Sequence, residues 1–405
     1  MSDIRLCGGV KLCGTVEPGG SKNATLPIIF ATLVTKGISY LHGVPDIGDV
    51  RVAIRIIESF GAKVEWKGST LQIDTSDLAY VDADRSLTSK IRASSYLIGS
   101  CISRFGRFRI FEFGGCNFCN RPIDMHIYAA KMLGAELCDG ELKAQRLRGT
   151  KIIFDKKSVG ATINSIIMSL AAEGITELVG VAKEPHVGAL VDFLVSAGAE
   201  IGETASGYII RNSDLHGGSL EVLPDMIEAG TYLLLAPLTE GRITVKNAAS
   251  LELESFFEVL DQAGVNVEYS GCDVTVCGVP ERSITVSTAP HPGYPTDLQP
   301  QIAPLMAKYC GGIIYENVWQ SRFSYLESLA AFGVVYKTEG AMSVISPSEL
   351  IAAESYAADL RGGAAAVMCA LAADGESKIK NAELIMRGYS DFEYKLKKLG
   401  AKILN

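Results

Sequence analysis

The sequence predicts an α/β protein made of six copies of one unit. Three observations carry this. First, one phrase recurs: an amphipathic run, a glycine, a small or branched residue, then polar–apolar alternation. It reads SFGAKVEW, MLGAELCD, SAGAEIGE, QAGVNVEY, AFGVVYKT and KLGAKILN, and its glycines (Gly61, Gly134, Gly198, Gly264, Gly333 and Gly400) lie 64 to 73 residues apart. Second, helical and strand patterns alternate within each copy, the order expected of α/β units. Third, the sixth copy runs out at Asn405, and the strand pair IRLCGGVKLCGTVEP at the chain start is the piece it lacks. The expectation is that the chain start completes the last unit. One domain then spans 22–223, and the other joins 1–21 to 224–405 across a break near Leu223-Pro224.

Within a copy, the first helix is rich in small and apolar residues, as in NATLPIIFATLVTKG and GGAAAVMCALAADGE. A strand of branched residues follows, as in RITVKNA. The second helix is amphipathic, as in LESFFEVLDQAG, with apolar residues three and four apart. Glycine stops it and a strand resumes.

The bulk properties agree with a globular chain. At 405 residues it is too long for one ordinary core. Hydrophobic residues make up 48% and charged residues 21%. A net charge of −8 argues against a general nucleic-acid binder. The start MSDIRLCGGV lacks a signal-peptide pattern, and apolar runs such as LPIIFATLV are too short to span a bilayer. The expected location is the cytoplasm, with reduced thiols. About eight of the ten cysteines read as small core residues, Cys101 and Cys369 among them.

Charged and capping residues recur at the helix starts. Lys22, Arg92, Ser158, Asp225, Asp297 and Asp359 each precede their unit's glycine by 36 to 42 residues. Arg121, Arg322 and Arg387 precede theirs by 11 to 13, near the expected start of the second helix. A cation is unfavourable there for the helix itself, whose free N–H groups and partial positive charge attract anions. Lys22, Arg92, Arg121, Arg322, Arg361 and Arg387 therefore point to an anion site, if these ends converge. Gly19-Gly20-Ser21-Lys22 offers close backbone approach, a cap and a phosphate-reaching amine, but lacks P-loop spacing. Asp297, in TAPHPGYPTDLQPQ, is by its place alone a favourable charge at a helix start; in a cationic cleft it could take a proton from a hydroxyl.

FGGCNFCNRPIDMH places Cys116 and Cys119 on a glycine-flanked loop. Zinc needs about four ligands and this pair supplies two, so no metal site is expected. A redox pair should open a helix directly after a strand, which this one does not. A reactive thiolate remains: Arg121 and neighbouring cations would lower the pKa of Cys116, on a loop that Gly114 and Gly115 leave free to close.

These residues carry a resemblance that covers essentially the whole chain. GGSKNATLP, KIRASSYLIG, GGCNFCNRPIDMH, SVGAT, LPDMIEAGT, TAPHPGYPTDLQPQ, SRF, ADLRGGAA and RGYSDFEYKLKKLGA resemble the UDP-N-acetylglucosamine enolpyruvyl transferases. The sister family, which makes 5-enolpyruvylshikimate 3-phosphate, lacks the cysteine loop and the RPID stretch. The resemblance implies an inside-out α/β barrel in two domains, each of three βαβαββ-like repeats, with the active site in the cleft between them. It implies transfer of the enolpyruvyl group of phosphoenolpyruvate to the 3-hydroxyl of UDP-N-acetylglucosamine, the committed step of peptidoglycan synthesis, with no metal or organic cofactor. The partners are those two small molecules, with no nucleic acid or membrane, and a monomer is the default expectation.

By the same resemblance, Cys116 is the proton donor to phosphoenolpyruvate and the thiol that fosfomycin alkylates. Asp297 is the base for the sugar hydroxyl and Asp359 a companion acid. Lys22, Arg121 and Arg387 hold the phosphate, and Arg92, Arg322 and Arg361 complete the cationic ring. Asn23 contacts the tetrahedral intermediate. Arg121, Pro122, Ile123, Asp124 and Met125, with Lys156, Ser158, Val159, Gly160 and Val318, contact the nucleotide sugar. The chain departs from the family pattern at Phe113, Phe118, Cys119, Asn120, His186 and Met226, which touches the loop and some nucleotide contacts.

Overall fold

The backbone is left-handed at all six landmark glycines: φ is +100° at Gly61, +101° at Gly134, +98° at Gly198, +84° at Gly264, +87° at Gly333 and +101° at Gly400. Other L residues avoid that region, so each glycine ends the helix before it. Those helices are Gly48–Ser59, Asp124–Met132, Pro185–Ser196, Glu254–Gln262, Leu326–Ala330 and Phe392–Lys398. Two or three residues on, the chain is in a strand, beginning at Lys63, Glu136, Ile201, Asn266, Val335 and Lys402. The computed structural model describes residues 3–115 and 122–404.

The other set of helices is buried over most of its length, as expected of helices surrounded by protein. They are Lys22–Ala31, Leu97–Phe105, Val159–Leu170, Met226–Leu238, Gln299–Lys308 and Leu360–Ala372. In the last, Leu360 through Leu371 are all buried. Leu97–Phe105 packs on Lys22–Ala31 and Val159–Leu170, and the final three pack on one another.

The described strands form six sheets, five of four strands and one of three. Each four-stranded sheet joins one parallel pair to two antiparallel pairings. Ile38–His42, for example, runs parallel to Ser219–Glu221 and antiparallel to Thr70–Asp74, which pairs with Lys63–Lys67. The architecture is α/β.

The chain start divides its two strands between sheets. Ile4–Gly8 pairs with Gly375–Lys380 and Lys402–Leu404, in the sheet of the sixth copy. Cys13–Val16 runs parallel to Arg242–Val245, in the sheet of the fourth. The expectation that both strands complete the last unit is therefore corrected. The chain turns away at Gly9 (φ +74°), and Val16 pairs with Val245 instead.

Two compact units result. One holds the described residues up to Gly19 and those from Pro224 on; the other holds Gly20–Gly115 and the described residues from 122 to Leu223. Each has its own core, with Tyr232, Phe256, Phe332 and Phe392 in the first and Phe30, Phe60, Phe108 and Phe193 in the second.

The cysteine expectation needs correction. Of the eight described cysteines only Cys101 and Cys369 are buried, and burial pushes both thiols up; Cys13, Cys138 and Cys272 are exposed. Cys13 and Cys138 sit on strand segments exposed at successive residues and Cys272 in a turn, where apolar neighbours in sequence do not imply apolar neighbours in space. No helix among the described residues is long and apolar enough to cross a membrane.

Candidate active site

In the unit that begins at Gly20, Ser21 caps the helix Lys22–Ala31, its Oγ accepting from the Ala24 N–H at 3.3 Å. This puts Lys22 and Asn23 in the first turn, both half-buried. Lys22 Nζ lies 3.0 Å from Asp49 Oδ2, and Asp49 itself occupies the first turn of Gly48–Ser59. The carboxylate offsets the unfavourable placement of the lysine.

Arg92 opens the short 3₁₀ helix Arg92–Tyr96 that leads into Leu97–Phe105, and its guanidinium lies 5.7 Å from the centre of the Phe113 ring. Ser158 caps Val159–Leu170 by accepting from the Ala161 N–H at 3.3 Å. Ile123 is the N-cap of Asp124–Met132, which puts Asp124 and Met125 in its first turn. Pro122 and Lys156 are exposed, while Val159 and Gly160 are half-buried.

The two helix starts meet at His126 and Asn164, for which sequence reasoning offered no role. Asn164 Oδ1 accepts from the Gly99 N–H at 2.6 Å, which leaves the two protons of its amide shared among His126 Nδ1 at 2.8 Å, Ser95 O and Gly160 O. That polarity suits a neutral imidazole with Nδ1 as acceptor. Burial, reinforced by Arg92, pushes His126 down to about 4. A Cβ on Gly160 would lie 2.8 Å from His126 Cε1, so this approach requires glycine. A surface depression of about 270 Å³ in this unit, lined by Lys36, Arg104 and Asp214 among others, includes none of the predicted site residues.

In the other unit, Asp225 and Asp359 are N-caps. Asp225 accepts from Ile227 and Glu228, and Asp359 from Arg361 and Gly362. Asp297 lies in the 3₁₀ turn Thr296–Leu298 ahead of Gln299–Lys308. The Arg322 Nη1 donates to Asp297 Oδ1 at 2.7 Å and Arg361 Nη2 to Asp297 Oδ2 at 3.3 Å. Both arginine side chains are about 5% exposed or less, whereas the Asp297 side chain is 29% exposed. Two buried cations thus hold a carboxylate with one side open. Burial alone would lower Arg322, but Asp297, Asp359 and Glu316 outweigh it and raise its pKa. Arg361 also lies over the Tyr389 ring, 5.2 Å from its centre.

The structure brings Asp297, Arg322 and Arg361 into direct contact in one unit, and sets Lys22 on Asp49 in the other. It departs from the expected helix starts in two places. Arg322 precedes the helix Leu326–Ala330 by four residues, in a turn. Arg387 ends the 3₁₀ helix Ala382–Arg387, where a cation complements the carbonyl end. Neither carries the helix-start cost inferred from sequence. Val318 is half-buried and its N–H donates to Glu316 Oε1 at 3.0 Å. Cys116 and Arg121 lie outside the described residues, as do Phe118, Cys119 and Asn120. Of the three remaining departures from the family pattern, Phe113 lies beside Arg92, Met226 packs partly buried against the core at the start of Met226–Leu238, and His186 is half-buried in Pro185–Ser196.

Comparison with known proteins gives this geometry its context. A family model described as EPSP synthase (3-phosphoshikimate 1-carboxyvinyltransferase) matches residues 6–396. The UDP-N-acetylglucosamine 1-carboxyvinyltransferase of Halothermothrix orenii is 39% identical over 100% of this chain and 99% of its own length. UDP-N-acetylglucosamine 1-carboxyvinyltransferase 2 of Clostridium acetobutylicum is 40% identical over the same shares. Among solved structures, the enolpyruvyl transferase NikO from Streptomyces tendae superposes with a TM-score of 0.88 at 25% identity, covering 99% of this chain and 98% of that one. An EPSP synthase from Acinetobacter baumannii shares the fold at TM-score 0.71 and 15% identity over the full length of both chains. The chain belongs to the enolpyruvyl transferase family, in its UDP-N-acetylglucosamine 1-carboxyvinyltransferase branch.

Proposed function

We propose that this protein transfers the enolpyruvyl group of phosphoenolpyruvate to the 3-hydroxyl of UDP-N-acetylglucosamine and releases phosphate. The observation that carries this is the 39–40% identity, over the entire chain, to transferases of that name. The chemistry needs an acid, a base and fixed cations, and the sequence retains a residue for each. Asp297 would take the proton of the sugar hydroxyl as its oxygen bonds to C2 of phosphoenolpyruvate, while Cys116 gives a proton to C3. Loss of a proton from C3 and departure of phosphate from C2 would then restore the double bond. Lys22, Arg121 and Arg387 would hold the phosphate, and Arg92, Arg322 and Arg361 the remaining negative charge, with Asp359 as a companion acid. Asn23 would contact the tetrahedral intermediate. Pro122, Ile123, Asp124, Met125, Lys156, Ser158, Val159, Gly160 and Val318 would receive the nucleotide sugar. In this reading the chain divides into 22–223 and 1–21 plus 224–405, and the protein works in the cytoplasm as a monomer.

Phosphate release tests the reading. Phosphoenolpyruvate is supplied with UDP-N-acetylglucosamine, with other nucleotide sugars, or with shikimate 3-phosphate. Release is expected with UDP-N-acetylglucosamine alone. Release with a different acceptor only would assign a paralogous activity, and none at any enzyme concentration would leave a nucleotide-sugar sensor. Fosfomycin labelling followed by peptide mapping is expected to mark Cys116; a label on Cys119 would reverse the assignment of the two thiols.

A further inference from the structure

Glu316 follows the strand Gly312–Tyr315 and has no accessible surface. A carboxylate taken fully out of water is costly unless its oxygens are satisfied. Glu316 accepts four hydrogen bonds. Oε1 takes the Thr288 hydroxyl at 2.8 Å, the Val318 N–H at 3.0 Å and the Trp319 N–H at 2.9 Å; Oε2 takes the Thr296 hydroxyl at 2.9 Å. A carboxylate can only accept, so the single proton of Thr296 is committed to Glu316. That leaves the Thr296 oxygen as an acceptor, and Arg322 Nη1 donates to it at 3.1 Å. The same nitrogen donates to Asp297 Oδ1 at 2.7 Å. The direction of every bond from Glu316 to Asp297 is therefore fixed.

We propose that Glu316 is a positioning residue, which sets the hydrogen-bond direction through Thr296 and thereby holds Arg322 on Asp297. The proposal rests on the transferase reading for its kinetic consequence. A second branch from the same carboxylate holds the turn that carries Val318, so one buried charge aligns the expected base and one expected sugar contact. Neither Glu316 nor Thr296 was singled out for this from sequence.

The variant Glu316→Gln separates the two branches. With its carbonyl on the Oε1 side it keeps the bonds from Thr288, Val318 and Trp319, so the turn and the melting temperature are retained. Its amide then faces Thr296 as a donor, so the Thr296 proton loses its acceptor and turns either towards Arg322, where donor meets donor, or into a buried position away from Glu316, and either change disturbs the Thr296–Arg322 contact. The expected result is a fall in kcat of at least tenfold per folded molecule, with KM for phosphoenolpyruvate within twofold of wild type. Thr296→Val should lose a similar factor, and the double variant should be no more than twofold worse than the worse single. Losses that multiply, or that track the folded fraction, would overturn the proposal. Crystal structures of wild type and Glu316→Gln give a readout independent of turnover. Arg322 is expected to move off Asp297 while the 316–319 turn stays. An unchanged Arg322–Asp297 pair would overturn the proposal whatever the activity. Wild-type inactivity, by contrast, would count against the transferase reading alone.

Discussion

Asp297 is held by two arginines whose own burial depends on it, so its charge serves folding as well as any chemistry. Replacing it with asparagine keeps the shape and removes the charge, leaving Arg322 and Arg361 buried with less compensation. The expected cost is about 1.5–3 kcal/mol, the range for a hydrogen bond to a charged group, read from denaturant unfolding. Loss of the proposed base should lower kcat by roughly 10²–10⁴-fold, far beyond what that destabilisation explains, and phosphate release measures it. An Asp297→Asn enzyme with near-normal kcat would remove this residue from the chemistry. At this scale the sequence was legible in kind and not in partner. Helix-start position marked Lys22, Arg361, Asp297 and Asp359, because caps and first turns are local. It could not mark Asp49, Glu316, Asn164 or His126. Each of these earns its place through a contact made across tens of residues, such as Asn164 with Gly99 or Glu316 with Thr288.

Elements were the most legible scale, because a helix and its stop signal are written in adjacent residues. The six glycines predicted six helix ends, and all six have the backbone that requires glycine. Their contexts differ, and that gives a prediction. A Cβ on Gly400 would meet nothing within 4 Å, whereas one on Gly61 would stand 2.7 Å from Asp77 O. Gly400→Ala should therefore cost only the left-handed strain, about 1–2 kcal/mol, and Gly61→Ala should cost more. Equal shifts in the two unfolding midpoints would mean that the backbone at Asp77 yields freely. What the sequence did not supply was sheet partnership. Cys13–Val16 follows Ile4–Gly8 closely, yet its partner is Arg242–Val245, a choice made by distant strands. The sequence also gives no sign of the short 3₁₀ helix that ends at Arg387, since six residues carry too little periodicity.

At the scale of the whole molecule, the two units carry buried titratable groups of opposite sense, so pH should pull their stabilities apart. In the unit of residues 20–115 and 122–223, burial, reinforced by Arg92, depresses His126 from 6.5 to about 4. The unfolded chain takes up a proton that the folded unit refuses. The stability this group contributes is whole above pH 6.5 and drains as pH falls towards 4. In the other unit, burial raises Glu228 from 4.5 to about 6, although Lys395 Nζ lies 2.6 Å from its Oε1 and the Gly19 N–H donates to its Oε2. That contribution is whole below pH 4.5 and is lost as pH rises through 6. Between pH 6.5 and pH 5, at 1.36 kcal/mol per pKa unit, the first unit should lose roughly 2 kcal/mol and the second gain roughly 1 kcal/mol. At about 2–4 °C per kcal/mol for units of this size, calorimetry should show the two transitions shifting in opposite directions, by several degrees relative to each other, on acidification. His126→Gln should abolish the fall in its own transition and leave the other untouched, and Glu228→Gln should do the converse. Transitions that move together in wild type, or a His126→Gln protein that still loses stability over this window, would mean that these two groups do not govern the acid response.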